Sequence, residues 1–73
     1  MKIEVGTKIR WTSRAGVLEG VVKSIKLDLN AAREVCPWFV VEKVTDYMDK
    51  PLGNVQLNGN HNYLKMMKVE VVQ

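Results

Sequence analysis

Apolar and polar residues alternate along most of this chain with the period of two that is typical of β-strands. Ile9 and Trp11 share one side of residues 8–12, and the three polar residues of that segment lie on the other side. Because a half-buried strand turns its apolar side inward, the alternation predicts a first strand with Ile9 and Trp11 in the core.

The next segment predicts a tight turn and a long second strand. Residues 13–16, Ser-Arg-Ala-Gly, are typical of a turn in which Gly16 takes a positive φ. Residues 17–29 then run on without a turn signal, and their later part puts Val21, Ile25, Leu27 and Leu29 on one side, although Lys23 interrupts this pattern. Gly20 suits a β-bulge at which the strand bends sharply. A long strand that bends at a glycine is typical of a small barrel.

Turn-forming residues divide the rest of the chain into three further strands. Residues 30–37 allow one helical turn capped by Asn30, but Pro37 prevents a longer helix. The run 63–67 fits either one helical or 3-10 turn capped by Asn62 or the start of the last strand. The predicted strands are 38–45, 54–58 and 68–72, with a loop at 46–53 and a turn at 59–62.

Two segments carry a resemblance to a known class of small β-domain. Residues 6–11, Gly-Thr-Lys-Ile-Arg-Trp, and 20–25, Gly-Val-Val-Lys-Ser-Ile, look like the "G-D-x-V…G-x-V" opening of Tudor-like and KOW-like modules. The chain therefore resembles SH3-like barrels, and the resemblance implies an all-β, five-stranded barrel with a short 3-10 turn before the last strand. An OB-type barrel fits less well, because it usually has a helix between the third and fourth strands.

Length and composition restrict the chemistry that this chain can carry. Its 73 residues suit one domain with a small core. Cys36 is the one cysteine, so it forms no disulfide within the chain, and we predict that it is buried. Together with His61, the one histidine, it supplies at most half of the ligands of a zinc site, so we predict no metal and no cofactor. The longest apolar run, 38–41, is too short to span a membrane, and the N-terminal residues have no signal-peptide core. These features predict a cytoplasmic protein that does not enter membranes.

The charge pattern leads to a first functional prediction. Eleven basic and eight acidic residues give a net charge of +3, which permits an anionic partner without requiring one. Pairing of the first two strands would bring basic residues onto one face that either binds a nucleic-acid backbone or is simply solvated. The residues of this predicted nucleic-acid face are Lys8, Arg10, Arg14, Lys23 and Lys26.

Residues 38–41, Trp-Phe-Val-Val, lead to an alternative prediction. Four consecutive bulky apolar residues in a strand bury both faces, whereas a small barrel has one interior. The outward pair needs a cover, which predicts a protein-docking surface of Trp38, Phe39 and Tyr47 and a homo-oligomer. The Tudor-like resemblance implies another use of aromatic residues, a cage for methylated Lys or Arg built from Trp11, Trp38, Phe39 and Tyr47.

Enzymatic chemistry is hard to assemble from these residues. Asp46 and Asp49 flank Tyr47 in a loop and are predicted to be solvated. Residues 6–20 and 53–57 are similar to segments of the plasmid-type SH3-barrel dihydrofolate reductase, whose pore strand reads V-Q-I-Y. Gln56 and Leu57 match its Gln and Ile, but Asn58 replaces its Tyr and the pore Lys falls near Trp11. We therefore predict a non-enzymatic binding module, of a size that suits an accessory protein of a phage, a plasmid or a bacterium.

Overall fold

The computed structural model describes residues 2–72, which form one antiparallel sheet of five strands in the order β4-β3-β2-β1-β5. The elements are β1 (Lys8–Ser13), β2 (Gly16–Leu29), β3 (Val35–Thr45), β4 (Pro51–Asn58), α1 (His61–Met66) and β5 (Glu70–Val71). The predicted all-β fold with five strands is confirmed. The sheet is open between β4 and β5 throughout the described residues, so it does not form a closed barrel.

The turn between β1 and β2 forms as its sequence predicts. Gly16 has a φ of +96°, in the left-handed region that glycine adopts without strain. The Ser13 hydroxyl accepts a hydrogen bond from the Ala15 N–H at 3.1 Å and donates one to the Gly16 carbonyl at 3.1 Å. These two hydrogen bonds of the Ser13 side chain hold the turn.

A shift in the β2–β3 register lies between Glu19 and Val21, but its extra residue belongs to β3, because two steps along β2 oppose three steps from Thr45 to Glu42. The predicted bulge at Gly20 is therefore wrong: the bulge lies in β3, where Lys43 has a φ of 54°, and Gly20 lies opposite it. A Cβ atom on Gly20 would lie 2.5 Å from Cγ1 of Val41 and 3.0 Å from the Glu42 carbonyl, so any other residue would force its neighbours to shift. A second register shift lies between Val22 and Ser24, on either side of Lys23.

The second bulge corrects the predicted faces of β2. Val21 pairs with Lys8 on the outer face of the sheet, which is the face opposite the core, whereas Ile25 pairs with Phe39 on the core-facing side. The prediction that Val21 and Ile25 share a side is wrong, because the extra residue at Lys23 reverses the alternation.

The core lies on one side of the bent sheet and is closed by the C-terminal segment. Ile9 and Trp11 are almost fully buried, as predicted, and Trp11 is the largest buried side chain. Tyr63, Leu64 and Met67, from α1 and the turn after it, pack against this core. The core residues are Ile9, Trp11, Leu18, Val22, Phe39, Val41, Val44, Leu57 and Val69.

Strand bounds differ from the predictions where proline occurs. β3 begins at Val35 rather than at residue 38, and β4 begins at Pro51 rather than at residue 54. The Pro37 carbonyl accepts a hydrogen bond from the Gly59 N–H at 2.6 Å, so the backbone of Pro37 faces the β4 side and its missing N–H removes no bond to β2. Pro51 is the first residue of an edge strand, another position that tolerates proline. The last strand is shorter than predicted, at Glu70–Val71.

The helical turn before the last strand is present as α1, with a different cap from the predicted one. The Asn60 side chain accepts a hydrogen bond from the Asn62 N–H at 3.0 Å, so the cap is Asn60 and the helix includes residues that were predicted as a turn. Within the part of the chain that the structure describes, no helix is long and apolar enough to cross a membrane.

The β2–β3 and β3–β4 hairpins end in loops of the same geometry. In residues 30–34, the Asn30 side chain accepts hydrogen bonds from the N–H groups of Ala32 and Glu34, and Arg33 has a φ of 60°. In residues 46–50, the Asp46 side chain accepts from residues 48 and 50, and Asp49 has a φ of 60°. Asn30 therefore shapes a hairpin loop, and the predicted helical turn is wrong.

Candidate interaction surfaces

Two of the predicted basic residues converge on one carboxylate. Lys8 and Arg10 lie on the outer face of β1, and Arg10 is directly opposite Glu19 of β2. Arg10 Nη2 lies 2.8 Å from Glu19 Oε1, and Lys8 Nζ lies 3.4 Å from Glu19 Oε2. Arg10 Nη1 also lies 3.5 Å from Oε1 of Glu70 in β5. This part of the outer face is therefore close to neutral, not strongly basic.

The protonation chemistry of this cluster follows from the same contacts. The hydrogen bond from Arg10, assisted by charge attraction, holds the pKa of Glu19 below its usual value even though partial desolvation opposes the shift. The same hydrogen bond raises the pKa of Arg10. Glu19 thus stays ionised through the neutral range and competes with any phosphate for the two β1 cations.

The other three predicted basic residues do not extend this cluster into one face. Arg14 is exposed in the turn before β2, whereas Lys26 is exposed near the far end of the same strand. Lys23 is exposed at the bulge of β2. The five residues are spread along the whole length of β2, and the two in the middle, Lys8 and Arg10, form ion pairs with Glu19.

The predicted aromatic surface is also divided. Trp38 lies on the outer face and is partly buried, while Tyr47 is 75% exposed in the loop after β3. Phe39 is a core residue opposite Leu57, which corrects its prediction as a surface residue, because alternation along β3 turns it inward. Trp11 is in the core as well, so the four residues of the predicted aromatic cage do not meet.

The structure does bring one basic and one aromatic candidate together. Lys26 of β2 is directly opposite Trp38 of β3, and Trp38 is in turn opposite Asn58 of β4. Trp38 and Lys26 line a recess of about 200 Å³ together with Asp28, Leu29 and Gln56. The Trp38 Nε1 atom is buried and has no hydrogen-bond acceptor among residues 2–72. The sequence assigned these two residues to separate surfaces, because their cross-strand register is visible only in the fold.

Several residues weighed for catalytic chemistry instead hold a loop or pack in the core. The Asp46 carboxylate accepts two backbone hydrogen bonds, at 2.8 and 2.9 Å, and so holds the β3–β4 loop. Gln56 and Leu57, which match the reductase motif, lie on opposite faces of β4, with Gln56 exposed and Leu57 in the core. Cys36 is buried, as predicted. Among the described residues, no three potential metal ligands cluster.

A further surface was missed by the sequence reasoning. Residues 23–37, here called the arm, are the part of the β2–β3 hairpin that extends beyond the pairing of β1 with β2. Four aliphatic side chains of the arm continue the core-facing side of the sheet, and each is at least 40% exposed. They are Ile25, Leu27, Leu29 and Val35, here called the apolar face of the arm. The period-two pattern showed that the first three share a side, but not that this side lacks a cover.

Lys26 and Asp28 lie on the other side of the arm, so the apolar face between Ile25 and Leu29 is free of charged side chains. This face and the Lys26–Trp38 recess thus lie on two sides of the same hairpin, and Leu29 at the end of β2 borders both. Comparisons of the chain with family models, curated proteins and solved structures found no match. The resemblance to SH3-like barrels therefore rests on the residues of this chain alone.

Proposed function

We propose that this chain is a non-enzymatic binding module of SH3-like type that docks on another protein through the apolar face of its arm. The observation that carries the proposal is the exposure of four large aliphatic side chains on one side of one hairpin. Leu27 is 76% exposed, Val35 69%, Leu29 54% and Ile25 40%. Single exposed apolar residues are ordinary, but a contiguous set marks an interaction site.

The chemistry of the face favours a protein partner. The centres of protein interfaces are depleted in charge, and the apolar face carries none between Ile25 and Leu29. A face built of Leu, Ile and Val offers no donor for phosphate and no aromatic ring for base stacking. Each of these side chains stabilises a complex by about 1.5–3 kcal/mol when it goes from fully exposed to fully buried. A complementary apolar surface therefore binds it better than a polyanion does.

The proposal is tested by comparing the proteins that two matched variants capture. Leu27→Ser with Val35→Ser removes the centre of the apolar face, whereas Leu52→Ser with Met66→Ser removes exposed apolar residues elsewhere. After nuclease treatment of a lysate from the source cell, we expect the control variant to retain the wild-type partners and the arm variant to lose them. Equal capture by both variants would contradict the proposal. Thermal melting checks that both variants fold.

A second candidate function uses the opposite side of the arm. Lys26 beside Trp38, with the amides of Gln56 and Asn58 nearby, combines a cation, an aromatic ring and polar groups, as single-stranded nucleic-acid sites do. The Asp28 carboxylate also lines this recess and opposes phosphate binding, which makes this the second candidate. Because Glu19 and Glu70 engage Lys8 and Arg10, this candidate depends on the arm and less on the predicted face of strands β1 and β2.

Fluorescence anisotropy with a labelled single-stranded oligonucleotide tests the second candidate. We expect binding at low salt that weakens several-fold on moving to physiological salt, since released counterions drive phosphate binding. Trp38→Ala and Lys26→Ala should each weaken it, whereas Lys65→Ala on α1 should have little effect. No anisotropy change at low salt would exclude this candidate and leave the protein-docking proposal intact.

A further inference from the structure

The arm has an open strand edge as well as an apolar face. β1 pairs with β2 only as far as Val21, and Gly6 and Thr7 add hydrogen bonds to Val22. Beyond that residue, no strand within residues 2–72 pairs with the outer edge of β2. The outer edge of residues 25–29 therefore presents backbone groups that a further strand can bind.

The local geometry shows which backbone groups face this edge. The Asn30 N–H donates to the Glu34 carbonyl across the hairpin. The backbone N–H and C=O groups of Asn30 therefore point toward β3, and those of its neighbour Leu29 point toward the outer edge. The Leu29 N–H accordingly donates to the Asp28 carboxylate at 2.7 Å and not to β3. Leu27 pairs with Pro37, whose backbone carbonyl points toward β4. The backbone N–H and C=O groups of Leu27 therefore also point away from β3. The open edge is thus formed by the backbones of Ile25, Leu27 and Leu29.

We propose that the strand that binds this edge is β2 of a second copy of the chain, antiparallel, with Leu27 opposite Leu27 of that copy. In this register, Ile25 lies opposite Leu29 of the second copy, and each directly opposed pair can exchange two backbone hydrogen bonds. The Leu29 N–H would leave the Asp28 carboxylate for the Ile25 carbonyl of the second copy. The inference rests on the proposed function, because it names one protein that binds the arm.

Charge complementarity selects this register. Lys26 then lies opposite Asp28 of the second copy, and Asp28 opposite its Lys26, so two oppositely charged cross-strand pairs form. A shift of the register by two residues in one direction places Lys26 opposite Lys26, and in the other direction it places Asp28 opposite Asp28. Directly opposed like charges destabilise a sheet, so the strand is self-complementary in one alignment.

The same pairing would join the two apolar faces of the arm. Ile25, Leu27 and Leu29 of both copies lie on one side of the shared sheet, because directly paired residues point the same way. The joined face presents twice as many aliphatic side chains as one arm does. A dimer would therefore dock on a third protein through a larger apolar surface than a monomer has.

Cysteine cross-linking tests the register. Under oxidised glutathione, Leu27→Cys should form a disulfide-linked dimer, because opposed residues in a hydrogen-bonded pair lie roughly 5.5 Å apart at Cα, within disulfide range. Ile25→Cys and Leu29→Cys should not link when each is alone, since the equivalent residues of two copies lie roughly 13 Å apart along the strand. An equimolar mixture of these two variants should link. Native Cys36 is buried and provides the background. Equal linking by all three single variants, or none by Leu27→Cys, would overturn the inference.

Charge exchange provides a second test that does not depend on cysteine chemistry. In sedimentation equilibrium at low salt, Lys26→Glu and Asp28→Lys should each raise the Kd of the dimer roughly tenfold or more, and the double exchange should restore it. Lys65→Glu changes net charge equally and should have little effect. A mass of 8.3 kDa at every concentration would overturn the inference. If such a monomer still captured other proteins through Leu27 and Val35, the proposed function would stand, so the two failures are distinguishable.

Discussion

The body of the sheet and the arm are built from the same alternation of apolar and polar residues, yet one is buried and the other is exposed. Trp11 in the body is 1% exposed, whereas Leu27 in the arm is 76% exposed. The difference comes from the C-terminal segment, because α1 and Val69 cover the body. Alternation therefore determines which residues share a face, and a second layer determines whether that face is core or surface.

The largest effect that we expect separates these two regions directly. Trp11→Ala should lower the free energy of unfolding by about 3–5 kcal/mol, since it leaves a large cavity in a small core. Leu27→Ala should change it by less than about 0.5 kcal/mol, because this side chain is already in water. Urea denaturation at low protein concentration measures both values. Similar losses for the two variants would contradict the division into a buried body and an exposed arm.

Gly20 sharpens the same comparison, because it lies within the body, where residues of β3 closely approach its Cα. Gly20→Ala should lower the free energy of unfolding by about 1–3 kcal/mol, since its Cβ would lie 2.5 Å from Val41 and 3.0 Å from the Glu42 carbonyl. Gly53→Ala gives the cost of backbone strain alone, since Gly53 has a φ of +80° and its Cβ would have no atom within 4 Å. A Gly20→Ala variant as stable as the wild type would contradict the close approach at Gly20.

The two equivalent loops test whether the arm unfolds together with the body. Arg33 and Asp49 both have a φ of 60°, which glycine adopts without the steric cost of a Cβ. Arg33→Gly and Asp49→Gly should each stabilise their loop by about 0.5–1 kcal/mol. If the whole sheet unfolds cooperatively, both variants should melt at a higher temperature. If the arm opens first, Arg33→Gly should slow hydrogen exchange only in the arm.

The smallest effect concerns the ion pairs of the body. Glu19 has a lowered pKa in the fold, so its contribution is present above the ordinary value of 4.5 and is lost as the pH falls through the folded value. The wild type should therefore be slightly more stable than Glu19→Gln at pH 7, and this difference should shrink progressively as the pH falls below 4.5. High salt should reduce it, because the pair is exposed. A difference that stayed constant from pH 7 to pH 3 would contradict an ionic role for Glu19.

Local chemistry predicts much of the body from the sequence. Ile9 and Trp11 follow from alternation and the turn at Gly16 from its residue types. The glycine at position 20 marked a special site, but the bulge there lies in β3, on the opposite strand. The bulge at Lys23 was not predicted, although this charged residue interrupts an apolar side of the strand and so marked the position of the extra residue. The cap at Asn60 was missed because Asn60 and Asn62 are equally good cap residues by type.

The candidate surfaces depend on relations that the linear sequence does not show. Lys8 and Arg10 were predicted to face outward, and they do, but the position of Glu19 between them follows from strand register. Phe39 and Trp38 are neighbours in the chain and lie on opposite faces of the sheet. The exposure of the arm depends on where β1 and α1 end. Register and covering layers are tertiary properties, so residue types alone do not determine them.

Pro37 has a consequence for how far assembly through the arm can extend. Its backbone faces the outer edge of β3 and has no N–H to donate, and the Gly59 N–H already binds its carbonyl. A strand that approached the arm from this side would meet a gap in the hydrogen-bond ladder. Pro37 has no such effect on β4 and β5, the outer strands of the open sheet. In the dimer proposed above, Pro37 would restrict pairing through the arm to the β2 edge, and contact through the same edge on both copies closes on itself at two chains.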